Sequence, residues 1–127
     1  MLFRSKALTE ALSSEFDKKV TGETLTPRAI QKNMQDTDIL INATSVGMHP
    51  HVGQSLVAPQ WLKPDLTVMD IVYNPTETKL AKDAKAAGAR VISGVEMLIY
   101  QGVASFEIWT GCAAPVKVMR KAVLSEL

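Results

Sequence analysis

Three short apolar runs, each leading through a loop into an amphipathic stretch, restrict what this chain can fold into. Asp38-Ile-Leu-Ile-Asn42, Leu66-Thr-Val-Met-Asp-Ile-Val72 and Ala89-Arg-Val-Ile92 carry the β-branched residues of strands. The first is continuously apolar rather than alternating, which predicts a strand covered on both sides. Strands that alternate with helical segments join as parallel neighbours through right-handed crossovers, so the chain reads as an α/β protein. Residues 43 to 65 hold Gly47, Pro50, Gly53, Pro59 and Pro64 and read as a loop, with Trp61 and Leu62 anchoring it to the core.

The helices follow from the 3.6-residue period. Ser5 to Lys19 places Ala7, Leu8, Ala11, Leu12 and Phe16 on one stripe, and Gly22 ends it. Thr26-Pro27 reads as a cap and first-turn proline for a short helix through Gln35. Asn74-Pro75-Thr76-Glu77 has the spacing of a capping box with Asn74 as cap, opening a helix in which Leu80, Ala81, Ala84 and Ala87 share a face and Gly88 is the stop. Ser93-Gly94-Val95-Glu96 repeats that spacing ahead of a helix with Val95, Leu98, Ile99, Gly102, Val103, Phe106 and Trp109 on one broad face. Pro115 opens a last helix with Val116, Met119, Val123 and Leu127 inward.

With 127 residues the expectation is a single domain spanning 1–127. Lys and Arg number 14 against 13 Asp and Glu, for a formal charge of +1 without a basic block, which argues against a nucleic-acid surface. Cys112 is the one cysteine, so an intrachain disulfide is excluded; Cys112 is expected to pack as a small hydrophobe. Met1 to Lys6 is too short for a signal-peptide core, and no apolar run reaches the length of a membrane span. A cytoplasmic protein without a membrane partner is the expectation.

Ligands of open parallel sheets bind beyond the carboxyl ends of the strands. Asn42-Ala-Thr-Ser-Val-Gly47-Met48, Asp70-Ile-Val-Tyr73-Asn74-Pro75 and Ser93-Gly94 all fall there. The first segment suits a ring or sugar lying against backbone, or a plain loop in which Asn42 and Thr44 satisfy local groups. Asp70 suits an acceptor for loop amides. Tyr73 suits either a substrate carboxylate or a partly buried phenol with a satisfied hydroxyl. Gly94 leaves room for close approach at a helix N-terminus. Met97 and Gln101, one turn apart, suit an apolar ring and a hydroxyl-bearing ligand, or equally a core methionine and a solvated glutamine. His49 and His51 lack the companions of a metal site. No G-x-G-x-x-G motif and no Lys/Asp pair for proton transfer appear, so no residue is assigned as catalytic.

The ordered segments Asn42-Ala-Thr-Ser-Val-Gly-Met48, Asp70-Ile-Val-Tyr-Asn-Pro-Thr-Glu-Thr78 and Gly94-Val-Glu-Met-Leu-Ile-Tyr-Gln101 resemble the N-A-T-x-x-G-M, D-x-x-Y-x-P-x-x-T and G-x-x-M-L-x-x-Q patterns of shikimate dehydrogenases. The similarity covers residues 36 to 127 well and residues 4 to 19 more weakly. It implies a partial Rossmann-like parallel sheet with helices on both faces, the C-terminal portion of an NADP-binding domain. The family reduces 3-dehydroshikimate to shikimate with NADPH. The resemblance implies that Asn42, Ala43 and Thr44 line the cofactor cleft and that Gly94 and Met97 lie near the nicotinamide. It further implies Tyr73 and Gln101 at the cyclic hydroxy acid and Asp70 supporting its loop. Phe3-Arg4-Ser5-Lys6-Ala7 corresponds to the family's N-R-T-x-x-K-A loop with closer spacing, which makes Arg4 either the reader of the cofactor's 2′-phosphate or a solvated charge at a helix start.

The family's N-terminal substrate domain, with its catalytic Lys and Asp, and its glycine-rich cofactor loop have no counterpart in this sequence. The expected partner is therefore a complementing N-terminal chain, or a second copy paired through an uncovered sheet edge. Alternatives are a dehydrogenase for quinate or a related cyclic hydroxy acid, a non-catalytic binding module, and a dimerising fragment.

Overall fold

The computed structural model describes residues 2–16 and 19–127, with side chains from residue 7 to 16 and from 19 onward. It divides into two compact units, residues 1–35 and 36–127. In the first unit, α1 (Leu2–Phe16) and α2 (Pro27–Met34) are helices. The Thr26 hydroxyl caps α2 by accepting from the Ala29 amide at 3.2 Å, as the Thr-Pro spacing predicts. The α1 stripe is not a core. Ala7, Leu8, Ala11 and Phe16 are exposed, because a periodic pattern directs side chains to one side without supplying a surface to meet them.

The second unit is a three-stranded parallel sheet of β1 (Ile39–Asn42), β2 (Thr67–Asp70) and β3 (Arg90–Ile92), in that order. Ile39 to Asn42 pair with Thr67 to Asp70, and Thr67 to Met69 with Arg90 to Ile92. Val68 is fully buried in the central strand, whereas Ile39 and Ile41 on edge strand β1 are exposed. The expectation that this first strand is covered on both sides fails for that reason: continuous apolarity cannot say which face of an edge strand lacks a neighbour.

Helix α3 (Lys79–Ala86) packs Leu80, Ala81 and Ala84 against β2 and β3 and ends at Gly88, whose φ of +81° suits a residue without Cβ. It starts later than the sequence suggests. Thr78, not Asn74, is its cap, with the Ala81 amide 3.1 Å from the Thr78 hydroxyl. Asn74, Pro75 and Glu77 lie in the preceding turn, where Glu77 reaches Lys85 at 2.7 Å and closes no capping box.

Helix α4 (Gly94–Thr110) and helix α5 (Val116–Glu126) pack on each other. Val95, Ile99 and Val103 form their seam, met by Ala114, Val116, Met119 and Val123. Ser93 caps α4 without a side-chain hydrogen bond: the Glu96 amide bonds to the Ser93 carbonyl at 3.1 Å, and the Glu96 carboxylate that would close a box is engaged by Arg120 of α5. That contact raises the Arg120 pKa, chiefly through the hydrogen bond to Glu96. Three further sequence expectations change. Trp109 is 82% exposed, because the packed seam ends before the last turn of α4; Leu127 at the chain end is also exposed. Cys112 is exposed in the turn after Gly111, held by its amide to the Thr110 hydroxyl rather than by packing.

Candidate functional site

The carboxyl ends of β1 and β2 open into a cavity of about 580 Å³. Ala43, Thr44, Ser45, Met48 and His49 form one wall, residues 71–74 another, and Met97 projects from the first turn of α4. The wall is largely apolar, with hydroxyl, imidazole and phenol groups at intervals. Such a mixture suits a flat, partly polar ring. The His49 amide donates to the Asn74 carbonyl at 3.3 Å and ties the two loops together. Gly47, at φ +91°, makes the turn inside the first loop.

A buried polar chain lies beneath this wall. Asp70, only 1% exposed, accepts from Asn42 Nδ2 at 2.9 Å and from the Val72 amide at 3.1 Å through Oδ1. Its Oδ2 accepts from the Thr78 hydroxyl at 2.6 Å. Asn42 Oδ1 accepts from the Thr44 hydroxyl at 2.7 Å and the Thr44 amide at 3.2 Å. The Thr44 hydroxyl then accepts from the Val46 amide at 3.2 Å. Among the described residues no buried side-chain nitrogen or oxygen lacks a partner. A satisfied network of this kind holds loop geometry, since each buried group would be costly to leave unpaired.

Each residue singled out in the sequence now has a place. Ala43, Thr44, Tyr73 and Met97 come together in the cavity wall. Asn42 is buried behind it and bonds to Asp70 and Thr44 rather than facing the space. Gly94 is sealed: a Cβ there would stand 2.5 Å from the Val72 carbonyl oxygen and 2.6 Å from that of Ile71. What closely approaches Gly94 is therefore the protein's own backbone. Gln101, one turn beyond Met97, is exposed and outside the cavity lining. The Arg4 side chain lies outside the described residues. The lining residues Ser45, Met48, Ile71, Val72 and Asn74 lie in the segments that the sequence places at the strand ends, without a role of their own in the site; His49 enters the sequence reading only as a metal ligand, and the buried Thr78 only as the last residue of a pattern. Thr78 had a signal in its fixed distance from Asp70 within one motif; the apolar lining of 71–72 had none, because Ile and Val at a strand end read as core.

A model of the shikimate 5′-dehydrogenase C-terminal domain matches residues 94–124. The chain is 51% identical over 108 residues to a shikimate dehydrogenase (NADP(+)) of Methanosarcina barkeri, covering 85% of this chain and 38% of that protein. The chain matches the C-terminal part of the shikimate dehydrogenase family. Solved shikimate dehydrogenase-family structures share its fold. One is a shikimate dehydrogenase in complex with NADP+, at 37% identity and a TM-score of 0.84, covering 94% of this chain and 42% of that one. Another is the quinate dehydrogenase of Corynebacterium glutamicum in complex with NAD, at 33% identity and a TM-score of 0.85, covering 96% and 43%. This chain thus spans about two-fifths of the length of the relatives it matches. The β1–β2–β3 sheet is a partial Rossmann-like sheet. Among the described residues no helix is long and apolar enough to cross a membrane.

Proposed function

We propose that residues 1–127 are the C-terminal portion of an NADP-binding domain and supply the nicotinamide side of a shikimate dehydrogenase, which reduces 3-dehydroshikimate to shikimate. The observation that carries this is the cavity at the carboxyl ends of two parallel strands, walled by Ala43, Thr44, Tyr73 and Met97. Its residues fit a nicotinamide: Met97, Ile71 and Val72 offer apolar contact to a ring, and Ser45, His49 and Asn74 offer polar groups to its substituents. Bound NADPH supplies the hydride for a ring ketone.

This chain's part is to bind, orient and exclude water. Ala43 and Thr44 lie against the cofactor, with Asn42 behind them holding Thr44. Met97 would pack on a ring held in the cavity, and Gly94 lets α4 begin close to the Val72 backbone, which keeps Met97 in the cavity wall. Tyr73 and Gln101 are assigned to the cyclic hydroxy acid, and Arg4 to the 2′-phosphate. The general acid comes from outside this sequence. The partner that completes the site is a complementing N-terminal segment, for which the exposed Ile39 and Ile41 of edge strand β1 offer a face. The setting proposed is the cytoplasm. A second reading, oxidation of quinate with NAD, draws on the quinate dehydrogenase with the same fold.

The test is titration of the 127-residue chain with NADP+, followed by transfer of saturation to the nicotinamide protons. Transfer that weakens in Met97→Ala supports the reading. No transfer at millimolar cofactor, with the chain folded, overturns the assignment of a working nicotinamide half-site.

A further inference from the structure

Thr78 stands outside the cavity wall, yet it contacts each layer behind that wall. Its hydroxyl donates to Asp70 Oδ2 and also accepts from the Ala81 amide, so both of its hydrogen-bonding directions are in use. From Asp70 the bonded chain runs through Asn42 to the hydroxyl and amide of Thr44, and from the Thr44 hydroxyl to the Val46 amide. A separate contact reaches the same loop on its apolar side. A Cβ built on Gly47 would meet the Thr78 Cβ at 3.7 Å and its Cγ2 at 3.8 Å, so the Thr78 methyl lies against the loop's turn. Thr78 is only 2% exposed, and water cannot replace either contact.

We propose that Thr78 is a positioning residue for the cavity: its hydroxyl, through Asp70 and Asn42, and its methyl, against Gly47, hold residues 43–48 where Ala43 and Thr44 form the wall. A threonine that served only as the cap of α3 would need neither the bond to Asp70 nor the contact at Gly47. The inference deepens the cofactor reading, because Ala43 and Thr44 are the residues assigned to the dinucleotide. Its test needs no ligand, so the two can fail separately.

The measurement is amide hydrogen exchange by NMR on the 127-residue chain and on Thr78→Val, which keeps the volume and removes the hydroxyl. Rates at Thr44, Val46 and Ala81 are read relative to Val68 in the central strand, which normalises for any global loss of stability. The expected result is exchange faster by about tenfold at Thr44 and Val46 as well as at Ala81. Thr78→Ser, which keeps the hydroxyl and loses only the methyl at Gly47, should leave Thr44 and Val46 faster than the parent but within about threefold of it, well short of the Thr78→Val effect; exchange as fast as in Thr78→Val would overturn the hydroxyl's part. Faster exchange at Ala81 alone, with Thr44 and Val46 unchanged relative to Val68, would show a helix cap and nothing more, and would overturn the proposal. If Thr78→Val does not fold, Thr78→Cys, with its weak sulfur donor, is read by the same comparison: acceleration at all three amides supports the proposal, and acceleration confined to Ala81 overturns it.

Discussion

Replacing Gly94 by alanine tests whether α4 must begin in contact with the β2 loop. The added Cβ would lie 2.5 Å from the Val72 oxygen, 2.6 Å from the Ile71 oxygen and 2.6 Å from the Val72 carbonyl carbon. Ordinary contact begins near 3.4 Å, so helix and loop must part by about 0.9 Å. All three atoms are backbone, and no side chain can swing aside to make room. Overpacking of this kind costs about 1–3 kcal/mol, and the fixed backbone puts Gly94→Ala at the upper end. Alanine's better helix propensity offsets about 1 kcal/mol at most. A net loss of about 2 kcal/mol corresponds to a fall in Tm of roughly 6–10 °C for a chain of this size. Calorimetry on Gly94→Ala beside Gly53→Ala is the assay, since Gly53 has open space where its Cβ would go and should leave Tm almost unchanged. Equal melting of the two variants would refute the reasoning. It would mean that α4 and the 71–72 loop separate freely, and that the position of Met97 is not set by Gly94.

Asp70→Ala should cost about 3 kcal/mol or more in a urea melt, because Asn42 Nδ2, the Thr78 hydroxyl and the Val72 amide lose one shared acceptor; a midpoint like the parent's would contradict the buried network. Ile99→Ala, at a position 1% exposed in the α4–α5 seam, should cost about 2–5 kcal/mol by the same measurement, with a value under 1 kcal/mol refuting the packing. The Glu77 carboxyl is held below its ordinary pKa, first by the hydrogen bond from Lys85 and then by that cation's charge. Its stabilisation is therefore present above the unfolded value and is lost as pH falls through the lower folded value. Glu77→Gln should melt slightly below the parent at neutral pH, the gap narrowing with added salt and closing in acid; a gap that survives acid would show that the pair is not its source.

Local chemistry made several elements legible from sequence alone. β-Branched runs at 38–42, 66–72 and 89–92 announce parallel strands, and β1, β2 and β3 lie within them. Thr26-Pro27 announces a helix start because one hydroxyl and one missing amide suffice to make it. Gly88 marks a helix end, where its positive φ of 81° favours a residue without a Cβ. The cavity was legible to the extent that ligands of parallel sheets bind beyond the carboxyl ends of the strands, and the resemblance points to Ala43, Thr44, Tyr73 and Met97 after β1, β2 and β3, which the cavity wall brings together. The strands, caps and helix ends depend on residues near one another in the chain, so a linear reading suffices for them.

What depended on distant residues was decided only by the tertiary structure. Thr78 rather than Asn74 caps α3, because its hydroxyl is drawn to a carboxylate eight residues back on a neighbouring strand. Glu96 abandons a capping box for an arginine 24 residues away. Periodicity put Leu8, Phe16 and Trp109 on apolar faces, but burial needs an opposing surface, and all three are exposed. The same distinction separates Asn42 from Thr44. Both belong to one motif, yet only the parallel pairing of β1 with β2, which sets Asn42 beside Asp70, determines that Asn42 turns inward while Thr44 stays in the wall. The residue types, and the order in which they occur, belong to the sequence. Which of them face a ligand and which hold the others in place is settled by long-range pairing, because a hydrogen bond or a covered face requires two partners and the linear pattern names only one.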